Sequence, residues 1–541
     1  MLVVRVLVLA LLIPLGNAVA YARSPVDTQR FARELDELRA ILKIPALSAV
    51  VLHRQEVVWA GGFGLADIER GVAATPDTPY QLASLTKPVA ATLTMMMVEA
   101  GTLNLDDPVA RYGVALPEGP RVTVRHLLSH TSAGEPGRDY RYDGQRYARL
   151  AEVIEGASGE AFGDALAARI LDPLGMTRTA PNDPTCGAGD VDGLTRDPRY
   201  GAVYRDLARP YLLTRDAEVA PGAYPDAFNP AAGLISTVAD LAGFDAALDR
   251  GLLVSDETRE RMFAPSVSTT GAELPYGLGW AVFDGAGTRL VWHAGQWTPS
   301  ASGLYLKAPE LELTFIVLAN SDALSAPYPL SRPDPLVSTA ALLFYEAFVV
   351  PELHGAAVPD VDWEADADAL VRALDAVTKP ELRGVLEREL SSYRQAYASV
   401  GRDDLAARLA DVHARAFPGA EPADPERVVA PARVAAPPAG PDEVVSAAQA
   451  RVLAGRYRLA PSVAGAPLPT VLTIAPLRGG LAMVDPRPSC TVLVPLTAEL
   501  FHAPTVPGSL IAFPDGQDAL VLLNGPVRVP YLREGPPGTA P

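Results

Sequence analysis

One serine and one lysine, Ser84 and Lys87, have the spacing of a nucleophile and its proton acceptor. Lysine occurs only four times in the 541 residues, and Lys87 alone has a serine three positions before it. Proline is best tolerated in the first turn of a helix, so Pro88 predicts that the apolar helix running through Met95 begins close to Ser84. Ser84 would then lie at the positive end of the helix dipole, with Lys87 one turn on and facing the same way.

Burial near a helix N-terminus would lower the pKa of the Lys87 ammonium, and a lowered pKa is what allows it to accept the Ser84 proton. The pair therefore predicts nucleophilic catalysis through a covalent intermediate on Ser84. A surface serine and lysine at an ordinary helix start is the alternative that these two residues by themselves leave open.

Residues 26–350, which contain this pair, are predicted to form one mixed α/β domain. Helical spacing is found at residues 30–42 and 86–100, and strand-like runs are found at residues 47–52, 56–60, 290–293, 303–306 and 313–318. Strands at both ends with helices between them predict an α+β fold, in which an antiparallel sheet is flanked by helices and a helical subdomain. The whole chain is too long for a single hydrophobic core, so further domains are expected.

Three further regions are predicted after this domain. Residues 362–417 are helical, with one apolar stripe made of Leu382, Leu386, Leu390, Tyr393 and Tyr397. Residues 421–441 are rich in Pro and Ala, as a linker is. Residues 446–533 are interrupted by Pro and Gly and predict a small antiparallel β domain. Its β-type runs are at residues 470–474, 491–494, 510–513 and 519–523.

Six segments of the chain resemble the serine β-lactamase-like family. That family includes class C β-lactamases, D-alanyl-D-alanine carboxypeptidases, D-aminopeptidases and family VIII-type esterases. The segments are residues 71–87, 125–132, 140–144, 173–176, 232–237 and 276–280, among them T-P-Y-Q-L-A-S-L-T-K ending at Lys87 and R-H-L-L-S-H-T-S beginning at Arg125. The resemblance implies the fold of that family and acylation of Ser84, with Lys87 as proton acceptor.

Tyr142 matches the family's catalytic tyrosine, which carries a proton between the nucleophile and the leaving group. A phenol has an unperturbed pKa of about 10, so a neighbouring cation such as Lys87 would help it to act near neutral pH. An aromatic packing residue is the alternative, and packing is the interpretation for Tyr140 and Tyr147. The family's β-lactamases and peptidases usually carry Tyr-x-Asn, whereas Gly144 offers no side chain to hold a substrate amide. This departure favours an ester over a β-lactam or a peptide.

The sequence His-Ala-Gly that ends at Gly295 resembles the strand motif that is Lys-Thr-Gly or His-x-Gly in relatives. Gly295 would let the strand approach the acyl group, and the N–H of Gln296 would converge with that of Ser84 to form an oxyanion hole. His293 is interpreted as a residue that binds a substrate carboxylate or orients Tyr142. A histidine packed at the end of a strand is the alternative.

Two histidines and two cysteines raise the question of a metal site or a bridge. His126 and His130 are four positions apart, like two ligands on a zinc protease helix, but the Glu that should follow the first His is absent. A structural or surface pair is therefore predicted, and neither a metal nor a cofactor is expected. Cys186 and Cys490 are the only cysteines, and one bridge or two unpaired thiols both remain open.

The first residues of the chain predict export. Arg5 precedes an apolar run over residues 6–15, and small residues follow at positions 18–22, so residues 1–22 are predicted to be a signal peptide. An uncleaved membrane anchor is the alternative, although the run is shorter than the roughly 18 apolar residues of a spanning helix. We expect a periplasmic or secreted protein with no stable membrane insertion after cleavage.

Taken together, the sequence predicts a serine hydrolase that acts through an acyl-enzyme on an ester or amide in a small-molecule or peptide substrate. The net charge of −18 argues against a nucleic-acid partner, because phosphate contacts need clustered Lys and Arg. The alternative from another class is a catalytically weak protein that binds cell-wall peptide or a related ligand. Gly144, where relatives carry Asn, is the one residue that favours this alternative.

Overall fold

The computed structural model describes residues 26–182, 198–214, 217–222, 224, 227–298, 300–328, 330 and 333–419, together with strands between residues 455 and 534. Its α-helices are α1 (Thr28–Ile41), α2 (Thr86–Glu99), α3 (Val124–Leu128), α4 (Gly144–Ala148), α5 (Leu150–Ser158), α6 (Phe162–Leu166), α7 (Asp172–Leu174), α8 (Gly201–Asp206), α9 (Val238–Asp249), α10 (Asp256–Phe263), α11 (Thr339–Phe344), α12 (Val350–His354), α13 (Ala367–Asp375), α14 (Pro380–Ser399) and α15 (Asp403–Ala416). None of the helices in these ranges is long and apolar enough to cross a bilayer.

Most of the strands in the same ranges belong to one large sheet or to a C-terminal barrel. They are β1 (Ala46–His53), β2 (Glu56–Asp67), β3 (Val72–Ala73), β4 (Tyr80–Gln81), β5 (Ala180–Pro181), β6 (Tyr211–Leu213), β7 (Val219–Pro221), β8 (Leu234–Ser236), β9 (Ala281–Phe283), β10 (Leu290–Trp297), β11 (Ala301–Ala308), β12 (Leu313–Ala319), β13 (Gly455–Leu459), β14 (Val471–Leu477), β15 (Gly480–Asp485), β16 (Ser489–Pro495), β17 (Leu500–His502), β18 (Ser509–Ala512), β19 (Ala519–Asn524) and β20 (Val527–Glu534).

The large sheet has seven strands in the order β3-β2-β1-β12-β11-β10-β9, and every neighbouring pair is antiparallel. The first strand of the domain therefore pairs with its last one, with Leu47 opposite Ala319. A separate short sheet has three strands in the order β4-β8-β5, and β4 is the strand that precedes α2 in the chain. The predicted antiparallel sheet flanked by helices is confirmed, and its strands are longer than the predicted runs.

The central strands are buried on both faces of the sheet because helices cover each face. Side chains alternate between the faces of a strand, so Val50 and Ile316 pack into a core with α2 and the helices of the subdomain. Val51 and Phe315 point the other way, into a second core that includes α1, α11 and α14. A continuous apolar run is what strands covered on both faces require.

The predicted helical region after residue 362 shares this second core with the sheet. The five residues of its predicted apolar stripe are all buried, on one face of α14. They pack in the same core as Phe31 of α1 and Phe344 of α11. A π-helical turn, Tyr345–Val349, joins α11 to α12 and bears Glu346. Helices α13 to α15 are thus part of the packing of the sheet domain.

The C-terminal strands β13 to β20 form a closed barrel in which each strand pairs with the next and β20 returns to β13. All these pairs are antiparallel. The four predicted runs fall on β14, β16, β18 and β19, so an all-β C-terminal region is confirmed. The predicted signal peptide (residues 1–22), the predicted linker (residues 421–441) and Cys186 lie outside the described residues.

Candidate active site

Ser84 lies in a tight turn between β4 and α2. Residues Ala83–Leu85 form one turn of 3₁₀ helix, closed by a hydrogen bond from the Leu85 N–H to the carbonyl oxygen of Leu82 (3.0 Å). Ala83 has a φ of 47°, in the left-handed region that a residue with a Cβ rarely adopts. The α-helix itself begins at Thr86, so Ser84 precedes it by one turn of 3₁₀ helix and remains half-buried at its N-terminal end.

Lys87, one turn further on, is almost completely buried. Its Nζ donates to Oγ of Ser84 (3.0 Å) and to the carbonyl oxygen of Ala231 (2.8 Å). Among the described residues no carboxylate forms an ion pair with it. Burial lowers the pKa of Lys87 to about 7, because a charge removed from water without a counter-charge is unfavourable. Lys87 therefore lies within hydrogen-bond distance of Ser84 and has a pKa at which part of the amine is uncharged near neutral pH.

Tyr142 lies over the same pair, with Nζ of Lys87 4.9 Å from the centre of its ring. Tyr142 as a whole is 45% exposed, and the buried part of its side chain is the hydroxyl end, which lies beside Ser84. That burial raises the pKa of Tyr142 to about 12, and the hydrogen bond with Ser84 acts in the opposite direction. We expected Lys87 to lower this pKa. The structure instead indicates a raised pKa for Tyr142, because the effect of burial outweighs that of the hydrogen bond. The phenol therefore keeps its proton at neutral pH.

The two neighbouring tyrosines have packing and supporting contacts, as predicted from their sequence positions. Tyr147 is buried, and its hydroxyl donates to the backbone carbonyl oxygen of Lys87 (3.2 Å). Tyr140 stacks on Tyr276 with ring centres 5.7 Å apart. Both residues therefore belong to the aromatic wall around Lys87 and Tyr142.

His130 holds the segment that carries Tyr142. Its ring lies 4.4 Å from the ring of Tyr142, centre to centre. Its Nδ1 accepts from the N–H of Asp143 (3.1 Å), and its carbonyl oxygen accepts from the N–H of Arg141 (2.8 Å). Both neighbours of Tyr142 in the chain are thus bound to His130. Burial, and then the charges of Lys87 and His293, lower the pKa of His130 well below its usual value, so the ring is neutral.

The possible metal pair of His126 and His130 is used for backbone contacts instead. Nδ1 of His126 accepts from the N–H of Thr123 (3.1 Å), as Nδ1 of His130 does from Asp143. The described ranges contain no group of three or more His, Cys, Asp or Glu side chains able to hold a metal ion. The interpretation as a structural pair agrees with these contacts.

His293 on β10 is buried, and both of its ring nitrogens have partners within the protein. Nδ1 lies 2.7 Å from the carbonyl oxygen of Ala294, which can only accept, so Nδ1 carries the proton. Nε2 then accepts from the hydroxyl of Tyr276 (3.0 Å). Burial, and then the charge of Lys87, lower the pKa of His293 to about 3. The ring is neutral and binds Tyr276, rather than orienting Tyr142 or presenting a cation to a carboxylate.

Gly295 is where β10 comes closest to the turn of Ser84. A Cβ at this position would lie 2.4 Å from the carbonyl oxygen of Leu82 and 3.0 Å from Cγ of Leu85. Any side chain would therefore push β10 away from the nucleophile. The next residue, Gln296, lines the same cleft as Ser84, which is the position that an oxyanion-hole N–H on this strand requires.

The cleft in front of Ser84 has a volume of about 330 Å³. Aromatic and apolar groups form much of its wall. The lining residues are Ser84, Tyr140, Tyr142, Pro275, Tyr276, Ala281, Trp292, His293, Ala294, Gln296, Tyr328, Leu330 and Pro333. A cleft of this size suits a small substrate with an apolar group.

The family model described as Beta-lactamase matches residues 31–332. The chain belongs to the beta-lactamase family. Penicillin-binding protein 4* of Bacillus subtilis is 27% identical over 305 residues, which cover 49% of this chain and 66% of that protein. Esterase EstB of Burkholderia gladioli is 31% identical over 178 residues, which cover 24% of this chain and 45% of that protein. The chain thus spans about two-thirds of the first relative and less than half of the second.

A solved structure supports the fold of this beta-lactamase family member over most of its length. The octameric penicillin-binding protein homologue from Pyrococcus abyssi has a TM-score of 0.52 at 20% identity, covering 93% of this chain and 100% of that one. At this identity the likeness concerns the fold alone. The family predicted from the six segments is therefore confirmed by the family model.

Gly144 is where this beta-lactamase family member departs from the expected Tyr-x-Asn. It is the first residue of α4, and a Cβ placed on it would meet no atom within 4 Å. The preceding Asp143 caps the helix, its carboxylate accepting from the N–H of Arg146 (3.0 Å). No atom therefore blocks a Cβ at the position where relatives carry Asn.

The sequence predicts no part in the active site for two of its residues, Tyr276 and His130, and treats His130 only as one of a structural or surface histidine pair. His130 and Tyr276 both lie in segments that resemble the family, R-H-L-L-S-H-T-S and Y-G-L-G-W. Their contacts with Tyr142 and His293 come from other elements, so no spacing along the chain indicates them.

We predict that Gly295→Ala lowers kcat/KM for an ester by about a hundredfold, the size of effect expected when one oxyanion donor is displaced. The added methyl cannot fit beside Leu82, so β10 and the N–H of Gln296 must move. Gly243→Ala on α9 is the matched control, because a Cβ there meets nothing within 4 Å. Circular dichroism checks folding. Unchanged kinetics in Gly295→Ala would contradict the assigned position of the strand.

Proposed function

We propose that this member of the beta-lactamase family hydrolyses small apolar esters through an acyl-enzyme on Ser84. The contact that carries the proposal is the one between Nζ of Lys87 and Oγ of Ser84, at 3.0 Å. Because burial brings the pKa of Lys87 to about 7, a substantial fraction of the amine is uncharged near neutral pH. An uncharged amine at this distance can accept the Ser84 proton.

In acylation, Oγ of Ser84 attacks the ester carbonyl carbon while its proton passes to Nζ of Lys87. The N–H groups of Ser84 and Gln296 stabilise the tetrahedral oxyanion. Tyr142, with a pKa of about 12, still holds its proton and gives it to the departing alkoxide. The Lys87 ammonium then returns a proton to Tyr142, so the alcohol leaves and Lys87 is again uncharged.

Deacylation runs through the same groups in the opposite order. A water molecule takes the place of the alcohol and loses its proton through Tyr142 to Lys87 as it attacks the acyl carbon. When the tetrahedral intermediate collapses, Oγ of Ser84 leaves and recovers a proton from Lys87. The carboxylic acid is released, and no proton is gained or lost by the protein over the cycle.

Two features of the site, one relative and the chemistry of the leaving group support an ester as the substrate. Gly144 provides no amide group to hold the substrate amide, although the space beside Tyr142 is open. The cleft wall is rich in aromatic rings, which suits an apolar acyl or alcohol group. One relative in the same family is named an esterase, Esterase EstB. An ester also has a better leaving group than a peptide, so it depends less on precise amide recognition.

We also propose that residues 1–22 direct export, so that the protein acts on a small-molecule or peptide ester in the periplasm or outside the cell. The arginine followed by an apolar run and small residues supports this. The mass of the chain isolated from the periplasm or medium of a bacterial host should correspond to a start after residue 20 to 22. A full-length chain retained in the cytoplasm would contradict export.

The pH dependence of kcat/KM should follow the deprotonation of Lys87, since only the uncharged amine accepts the Ser84 proton. With a pKa of about 7, kcat/KM for an ester should fall by about tenfold for each pH unit below 6 and level off above 8. His293, with a pKa of about 3, does not titrate in this range. Initial rates from pH 5 to 9 test this, and a rise centred near pH 10 would show that Lys87 is not perturbed.

Substrate preference should favour esters strongly. We expect kcat/KM for p-nitrophenyl butyrate to exceed that for a chromogenic cephalosporin by at least about a hundredfold, and Gly144→Asn to reduce this ratio by supplying the missing amide. A Cβ at Gly144 meets no atom within 4 Å, so the backbone there can carry a side chain. A wild-type preference for the cephalosporin would overturn the esterase proposal.

Ser84→Ala is the control for both substrates. It should lose turnover by at least about a thousandfold and should no longer be labelled by a fluorophosphonate, while its thermal unfolding stays close to that of the wild type. Wild-type protein that neither turns over esters nor takes the label would favour the weak binding protein instead.

A further inference from the structure

Two tyrosine rings lie close enough to Nζ of Lys87 to stabilise a positive charge on it. The centre of the Tyr142 ring is 4.9 Å from Nζ, and the centre of the Tyr147 ring is 5.5 Å from it. A cation over the face of an aromatic ring, within about 6 Å of the ring centre, is attracted by the electron density of that face. We refer to Tyr142 and Tyr147 as the tyrosine pair.

The hydrogen bonds of Lys87 leave one N–H of its ammonium beside these rings. An ammonium group has three N–H donors. Oγ of Ser84 accepts one of them at 3.0 Å, and the carbonyl oxygen of Ala231 accepts another at 2.8 Å. Since these are its hydrogen-bond acceptors among the described residues, the third N–H has the tyrosine pair as its neighbour.

The other titratable groups around Lys87 carry no negative charge. Burial, and then the charge of Lys87, lower the pKa values of His130 and His293 below their usual range, so both rings are neutral. Burial raises the pKa of Tyr142 to about 12 and that of Tyr147 well above its usual value, so both phenols are neutral as well. Within the described ranges no carboxylate pairs with Lys87. The ammonium formed during acylation therefore depends on dipoles and ring faces.

The ring of Tyr147 is fixed in its place beside Lys87. Tyr147 is fully buried, and its hydroxyl donates to the backbone carbonyl oxygen of Lys87 (3.2 Å). The ring of His130 lies 5.0 Å from that of Tyr147 and 4.4 Å from that of Tyr142, centre to centre. A Cβ at Gly279 would lie 3.3 Å from the Tyr147 hydroxyl. The ring face is thus in position before the proton moves, and no reorganisation is needed when charge develops.

We propose that Tyr147 is a positioning residue that acts through Lys87: its ring, with that of Tyr142, stabilises the Lys87 ammonium in place of a carboxylate while Ser84 is acylated. The inference rests on the proposed acyl-enzyme function of Ser84. A ring face attracts the ammonium more strongly than the uncharged amine, so the tyrosine pair favours the state that follows proton transfer. A carboxylate would keep Lys87 charged from the start and leave no base.

The test varies the electron density of the ring at position 147 with little change in its shape. Tyr147→Phe keeps the ring and loses the hydroxyl, and it is the reference for phenylalanines with one, two or three fluorines introduced at the same position. Fluorine withdraws electron density from the ring face, so each fluorine should make the ammonium less stable. The pKa of Lys87 should stay close to the wild-type value in Tyr147→Phe and then fall with each fluorine, by about one pH unit in total.

Two measurements report the pKa of Lys87. Carbon-13 at Cε gives one NMR signal for each lysine, and the chain has only four lysines, so the signal that is lost in Lys87→Arg belongs to Lys87. In parallel, the acid limb of kcat/KM for p-nitrophenyl butyrate should move to lower pH by the same amount, and its plateau should fall by about threefold to tenfold. A ring that only fills space would move neither.

Trifluorophenylalanine in place of Phe263 is the matched control, because this ring is buried in the same core and packs against Trp280. It should leave both measurements unchanged. If Tyr147→Phe does not fold, 3-fluorotyrosine at position 147 keeps the hydroxyl and should also lower the pKa of Lys87.

The proposal is overturned if the NMR titration gives the same pKa for Lys87 with every fluorinated ring, if that pKa rises, or if the Phe263 variant shows the same fall. The NMR titration needs no turnover. It therefore decides whether the rings stabilise the ammonium even if the wild-type protein hydrolyses no ester, a result that would overturn the proposed function instead.

Discussion

The candidate active site depends on a lysine that is buried without a counter-charge from any of the described residues. In the part of the chain that the structure describes, the hydrogen-bond partners of Lys87 are Ser84 and a backbone carbonyl. Burial therefore lowers the pKa of Lys87 to about 7, and a substantial fraction of the amine is uncharged near neutral pH. An acidic neighbour would restore the charge and remove the base. The surroundings of Lys87 are accordingly aromatic and neutral: Tyr142 keeps its proton, and His293 gains none.

The same neutrality explains why the supporting residues bind one another rather than the substrate. His130 binds the backbone on both sides of Tyr142, and His293 binds the hydroxyl of Tyr276. Each imidazole is buried and neutral, so each acts as a fixed hydrogen-bonding partner of these groups.

The second core differs from the active site because its buried titratable groups are acidic. There the carboxyls of Glu346 and Glu389 are buried close together, and burial raises the pKa of both, which favours a proton shared between them.

Much of the sheet and the centre of the site could be predicted because their signals are local. Apolar runs at residues 47–52 and 313–318 became β1 and β12, and the spacing of Ser84 and Lys87 correctly predicted that their side chains meet at the start of α2. Contacts between distant elements could not be predicted in this way. The role of His130 depends on a loop twelve residues later, and the raised pKa of Tyr142 depends on how far its hydroxyl is buried. The burial of Glu346 depends on α14, which follows it by more than thirty residues.

The pairing of β1 with β12 has a consequence for how the site is made. Leu47 and Ala319 are opposite each other although roughly 270 residues separate them, and the turn of Ser84 rests against β10, which is linked to β1 through β12 and β11. Pairing over such a separation has a large entropic cost and is slow. The nucleophile is therefore assembled only when the two ends of the domain meet. No fragment lacking either end should have a working Ser84, and recovery of activity during refolding should report the closure of the sheet.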